Sequence, residues 1–219
     1  MKNPYGSILH VISAEFFGST GLTACANPVR RRKTHMASPV SHAIVAVTIG
    51  MAFPRPRPRG RYWLAATLSV LPDIDAIGFF NGVEYGSLLG HRGLTHSLAF
   101  AGVVAGILIT IPAIASPRWG PRWLTWLYLF LACASHGLLD AMTDGGLGIA
   151  FFSPFSNRRY FLPWRPIMVG PINILRAFSP WGRRIALSEL KWVIGPCAAI
   201  IIAIIAIRKK TAPAGEDAG

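Results

Sequence analysis

Three short runs carry the side chains with chemical capacity: Leu71-Pro72-Asp73-Ile74-Asp75, His91-Arg92-Gly93-Leu94-Thr95-His96-Ser97 and Ser135-His136-Gly137-Leu138-Leu139-Asp140. The chain has only nine acidic residues and six histidines, and these runs hold three of each, all beside or inside apolar segments. An ionisable group at membrane depth costs about 2.5–3.5 kcal/mol on insertion scales, so it normally faces a partner, a wet cavity or an ion. One metal centre would satisfy all of them together. His42, near the start of the first apolar segment, completes a set of seven candidate ligands: His42, Asp73, Asp75, His91, His96, His136 and Asp140.

The spacings say how these residues could meet. Asp73 and Asp75 diverge by roughly 200° on a helix but share one side of an extended stretch, and Pro72 favours a local distortion there. His136 and Asp140 are four apart, the spacing that stacks two side chains on one helical face. His91 and His96 suit a turn at Gly93, with His96 opening the next helix and Thr95 or Ser97 as its cap. Histidine mixed with carboxylate suits zinc, or another first-row divalent ion, better than the all-oxygen preference of Mg²⁺. Such an ion brings a bound water to a pKa of about 7.

Seven candidates exceed one four-coordinate site. Either two ions about 3.5–4 Å apart share the carboxylates, or some residues orient ligands or act as bases. The expected catalytic residues are Asp75, His96 and Arg92, with Arg92 as a clamp for a developing anion. Each run also has a plainer reading: a hydrogen-bonded bundle histidine, a helix terminus at Asp73-Ile74-Asp75, a structural ion pair between His136 and Asp140. The plain readings must explain every costly group separately, whereas a metal explains them jointly.

The elements that must position these residues are apolar. The chain is 219 residues long, 52% hydrophobic and 14% charged. Its apolar stretches approach the roughly 20 residues needed to cross a bilayer, which indicates an all-α, polytopic membrane bundle of about four to five transmembrane helices. The segments are Pro39 to Phe53, Tyr62 to Phe80, Leu98 to Ala115, Trp123 to Leu139 and Trp192 to Ile207. The formal charge of +13 comes from bases flanking these segments, as expected of anchors at anionic headgroups, so membrane lipid and not nucleic acid is the expected partner. Cys25, Cys133 and Cys197 have no ligand-like spacing.

Counting crossings places the Arg55-to-Arg61 loop, the Arg118/Arg122 loop and the Arg208-Lys209-Lys210 tail on one side, and the seven candidates near the other. Positive-inside counting leans the candidates outward. Residues 1–35, with Pro4, His10, Glu15 and Arg30-Arg31-Arg32-Lys33, break any periodicity and read as an unstructured extension upstream of a start at Met36. A membrane-embedded domain over 36–210 and a polar tail over 211–219 complete the organisation. Phe151, Phe152, Phe155, Arg158, Arg159, Tyr160, Phe161, Trp164 and Arg165 interleave aromatics with arginine, which suits a headgroup-level lid with guanidinium on phosphate. Gly145-Gly146-Leu147-Gly148 lacks the spacing of a phosphate-binding P-loop.

At these residues the chain resembles the YdjM-like family of bacterial inner-membrane proteins, described as membrane-bound metal-dependent hydrolases. The resemblance runs from Met36 to Pro171 through Ser41-His42-Ala43, the three runs above, Thr143-Asp144-Gly145-Gly146 and Arg159-Tyr160-Phe161-Leu162-Pro163-Trp164-Arg165-Pro166. It implies a multi-pass inner-membrane hydrolase. A more distant likeness to zinc phospholipase C proteins implies phosphoester substrates. The leading expectation is therefore a metal-dependent hydrolase acting at the membrane surface on a lipid or phosphoester. The alternative is a non-enzymatic membrane protein that transports or senses a divalent ion or proton, which would need polar groups continuing through the bundle.

Overall fold

The computed structural model describes residues 35–53, 58–171 and 179–211. Residues 1–34 of the expected extension over 1–35, with Cys25 and the Arg30–Lys33 run, together with Arg55, Arg57 and residues 212–219 of the expected tail, lie outside the described residues. The fold is all-α, as expected, with five principal helices. They are α1 (Pro39–Ala52), α2 (Gly60–Val70), α3 (Leu98–Leu108), α4 (Arg122–Ala141) and α5 (Pro180–Thr211). The extended structure among the described residues is slight, a two-residue antiparallel pairing of His35–Met36 with Gly170–Pro171 and isolated bridges.

Local sequence sets the ends. Pro39 occupies the first turn of α1, where its missing N–H costs nothing, and the Ser38 side chain caps the helix by accepting from the Ser41 N–H. Ser97 caps α3 in the same way, accepting from the Phe100 N–H at 3.1 Å. Two expected segments are shorter as helices than the apolar runs that suggested them. The second ends at Val70, because Pro72 cannot donate into the α2 ladder, and the chain tightens into a 3₁₀ turn over Leu71–Ala76 and one further turn, Ile77–Phe80. The third ends at Leu108: Pro112 removes the bond that would reach the Leu108 carbonyl, and its ring clashes there. The fifth starts earlier than Trp192, at Pro180, and contains a π-helical turn at Leu190–Ile194.

Helices α1, α2 and α4 pack against one another, and α3 lies on α4. Their common core is built largely of small residues, Ala46, Ala65, Ala101, Ala105 and Ala132, around Leu68, Tyr128, Leu129 and Cys133. Small side chains let apolar helices approach closely, which supplies packing where lipid removes the hydrophobic drive. Arg61, expected among the headgroup anchors, is instead buried with its guanidinium 4.3 Å from the centre of the Tyr128 ring. Among the described helices, α4 and α5 are long and apolar enough to cross a membrane, whereas α1 and α3 are shorter apolar helices.

Helix α5 packs along α1 and is pinned to it by Glu189, a buried acid just before the π-helical turn. Its Oε1 accepts from the Ser38 N–H at 2.7 Å, and its Oε2 accepts from the hydroxyls of Ser38 and, at 2.8 Å, Ser41. Hydrogen bonds to a charged acceptor contribute about 1.5–3 kcal/mol each, and orphaning their buried donors costs comparably. Glu189→Ala is expected to lose about 2–4 kcal/mol of stability, with Glu189→Gln less damaging, as read by chemical unfolding of the detergent-purified protein.

Candidate metal centre

The expected ligands arrive from four places at one end of the bundle: His42 from the first turn of α1, Asp73 and Asp75 from the 3₁₀ turn after α2, His91 and His96 from the loop before α3, and His136 with Asp140 from the last turns of α4. Six of the seven fall into two groups whose ligand atoms lie within 4.8 Å of one another: His42, His136 and Asp140, and Asp73, His91 and His96. Asp75 belongs to neither group.

The 3₁₀ turn explains why Asp73 and Asp75 part company. The extended stretch expected there would have put both on one side; a tight helical turn points them apart, and they straddle His96. Asp73 Oδ1 lies 3.8 Å from His96 Nε2, while Asp75 Oδ2 lies 3.1 Å from His96 Nδ1. The oxygens of Asp75 are occupied by hydrogen bonds. Oδ1 accepts from His91 Nδ1 at 2.7 Å, and Oδ2 accepts from the Thr95 hydroxyl at 2.6 Å and the Arg92 N–H at 3.2 Å as well as from His96. An acceptor opposite Nδ1 holds the ring proton there and turns Nε2 inward. His136 is held in the same tautomer by a different acceptor, its Nδ1–H donating to the Ser69 carbonyl at 2.6 Å.

The inward nitrogens meet. His96 Nε2 and His136 Nε2 are 3.1 Å apart, with Asp73 Oδ1 3.3 Å from the latter. Asp140 Oδ2 lies 3.7 Å from His96 Nε2 and 3.9 Å from His136 Nε2, so each of the two carboxylates faces both rings. His42 stacks on His136 with ring centroids 3.9 Å apart, and its Nε2 is 3.8 Å from Asp140 Oδ1. Both His42 nitrogens and Asp73 Oδ1 are buried without a hydrogen-bond partner. Burial pushes the pKa of His96 below its ordinary value, against the upward pull of Asp75, so it is neutral at pH 7 with a lone pair available. Two nitrogens and two carboxylates converging in a buried space could hold a cation among them, and a single proton between His96 and His136 leaves His42 unanswered. The donor set of imidazole and carboxylate fits zinc or a similar divalent ion.

Arg92 is arranged differently from the expected anion clamp. It is fully buried, with Nε 2.9 Å from Asp140 Oδ2, and its terminal nitrogens donate to the Gly145 carbonyl at 2.7 Å and the Thr143 hydroxyl at 3.2 Å. Its backbone adopts φ 63°, which costs a non-glycine residue about 1–2 kcal/mol and here aims the N–H at Asp75 and the side chain at Asp140. Arg159, expected on phosphate, instead donates to the backbone carbonyls of Tyr85, Ser87, His91, Arg92 and Gly148, fastening the loop that carries His91. Composition could not distinguish a guanidinium for phosphate from one for carbonyls, and Ser69 and Thr143 act through a carbonyl and a hydroxyl that leave no motif.

Two glycines let the pieces close up. A Cβ at Gly137 would lie 2.8 Å from the His96 carbonyl oxygen, so only glycine lets α4 approach the histidine turn. Gly146 has φ 88°, and a Cβ there would meet Arg92 Nη1 at 2.3 Å.

Residues 36–212 match the family described as YdjM inner membrane protein. The chain belongs to that family. It is 38% identical over 165 residues to the inner membrane protein YbcI of Escherichia coli (strain K12), a match covering 72% of this chain and 91% of that relative. No solved structure matches it. Within this YdjM family member, Gly146→Ala is expected to cost about 2–4 kcal/mol, from the left-handed backbone and the displaced guanidinium together, and thermal unfolding against Gly82→Ala, which has open space at a similar φ, measures the excess.

Proposed function

We propose that this protein is a multi-pass inner-membrane hydrolase that uses a divalent metal, zinc by preference, held by His42, Asp73, His91, His96, His136 and Asp140. The observation that carries the reading is the convergence of His96 Nε2, His136 Nε2 and two carboxylates, each imidazole locked at Nδ1 by an outer acceptor. When bound, the metal supplies Lewis acidity and lowers the pKa of water to about 7. The chain supplies the rest. Asp75 is a positioning residue, fixing the tautomers of His91 and His96 without facing the centre, and Arg92 offsets the buried charge of Asp140.

The approach to the centre favours an amphiphile. Asp73 has a side-chain exposure of 10% against 1% or less for the other five ligands, so substrate meets the centre on its side. Ile74, beside it, is 54% exposed, and Phe155 of the aromatic loop is 90% exposed. An exposed apolar side chain beside the accessible ligand suits a lipid or another phosphoester with an acyl or prenyl tail at the bilayer edge.

The second reading, passage or sensing of a divalent ion or proton, draws on the short His96–His136 contact, which a proton could share. Against it, the interior next along α1, α2 and α4 is largely the alanine-rich apolar core, and the hydroxyls buried there, of Thr48, Thr125 and Ser135, donate to nearby main-chain carbonyls. Metal-stripped protein in liposomes should show no ion flux on re-addition of zinc; flux without hydrolysis would promote the second reading.

Detergent-purified protein is expected to hydrolyse a chromogenic phosphodiester or a short-chain phospholipid, to lose that activity to a chelator and to regain it with zinc. The His136→Ala, Asp140→Ala double variant should fall at least about 100-fold. Undiminished activity in that variant, or protein that binds no divalent metal, overturns the proposal. Asp75→Asn should weaken zinc affinity about 10–100-fold while leaving the number of ions bound at saturation unchanged. Metal occupancy should fall on acidification, because each imidazole must be deprotonated to bind.

A further inference from the structure

We infer that the centre holds two divalent ions, one on Asp73, His91 and His96 and the other on His42, His136 and Asp140, with Asp73 and Asp140 facing both. This rests on the metal-dependent reading above and specifies its stoichiometry and the order of filling.

The geometry is that of a row. The rings follow in the order His42, His136, His96, His91, with successive centroid separations of 3.9, 4.7 and 5.4 Å. His42 lies flat on His136, whereas His96 stands edge-on to both His136 and His91. Neither three-residue group contains both end members of the row, His42 and His91. A tetrahedral ion takes four ligands at about 2.0–2.2 Å, so six donors strung along a row exceed what one ion can gather. The middle of the row has what a pair needs: Asp73 Oδ1 within 3.8 Å and Asp140 Oδ2 within 3.9 Å of both inner Nε2 atoms, the placement of carboxylates shared between neighbouring ions. His42 decides the matter. Both its nitrogens are buried without a hydrogen-bond partner, and the nearest carboxylate oxygen is 3.8 Å away, so an ion on the Asp73–His91–His96 side leaves it unsatisfied.

Charge sets the order. With the imidazoles neutral, Asp73, Asp75 and Asp140 against Arg92 leave a formal charge of −2, which the first divalent ion cancels. The second ion enters a site already neutral and beside a like charge, so it binds more weakly. The first ion belongs on the Asp73 group, whose two histidines are both oriented by donating to Asp75, whereas Asp140 is already neutralised in part by Arg92.

The test is metal stoichiometry of the full chain in detergent, measured by equilibrium dialysis with elemental analysis, zinc and manganese being used separately. Wild type should bind two equivalents in two steps, the second at least about tenfold weaker. His42→Ala should abolish the weaker step alone, and His91→Ala should abolish the tighter step. Manganese-loaded wild type should give the broadened resonance of a spin-coupled pair, and His42→Ala the six-line spectrum of an isolated ion. Wild type saturating at one equivalent through millimolar metal, with uncoupled manganese, overturns the pair while leaving the metal-dependent hydrolase standing. Wild type binding no metal overturns both. The wild-type count does not depend on either variant folding.

Discussion

The Asp75 carboxylate is the interaction on which the rest of the site depends. It gathers His91, the Arg92 N–H, Thr95 and His96 onto one turn after α2, and so fastens the histidine loop to the helix bundle. Nothing else in this region could do so as economically. The loop from Tyr85 to Gly93 has no regular ladder of its own, and its carbonyls are gathered by Arg159. Without the Asp75 tie, His91 and His96 would lose the acceptor that faces their Nδ1 atoms. With it, both imidazoles present the nitrogen that can bind a cation.

The arginines show how much of the positive charge is internal scaffolding. Arg61 lies over Tyr128, Arg92 on Asp140, Arg159 on backbone carbonyls. Guanidinium carries five donors in a fixed fork, so a single side chain can satisfy several buried acceptors that no lysine could reach together. Buried charges of this kind are costly unless paired and hydrogen-bonded. Their pairing leaves Asp73 facing the imidazoles of His96 and His136 and none of these three guanidinium groups.

Much of the site was legible because ionisable residues are scarce in this chain and each one placed near an apolar segment demands an explanation. The spacing of His136 and Asp140 announced a shared helical face, and the Gly93 turn brought His91 to His96 as expected. Where the sequence reading differed from the structure, backbone geometry was the reason. Pro72 produced a 3₁₀ turn, not an extended stretch, and that single difference turned Asp75 outward to its histidines while leaving Asp73 inward. Likewise, apolar composition continues past Leu108, but Pro112 ends the helix whatever the hydropathy. Residues that act through a main-chain carbonyl, such as Ser69, or through the absence of a side chain, such as Gly137, have no compositional signature at all.

The position of the polar centre follows from the packing beneath it. Alanine contacts between α1, α2, α3 and α4 close much of the interior of the bundle, and the carboxylates and imidazoles gather at the end where α2 stops, α4 runs out and the loops begin. Leaving a buried donor or acceptor unsatisfied costs about 1–3 kcal/mol, and His42 and Asp73 contribute several such atoms. A bundle that carried them without compensation would surrender a sizeable part of the 5–15 kcal/mol that keeps a domain folded. The network of Asp75, Arg92 and Ser69 fixes the imidazoles at Nδ1 and neutralises part of the charge, so that a cation held between them would meet ligands already oriented.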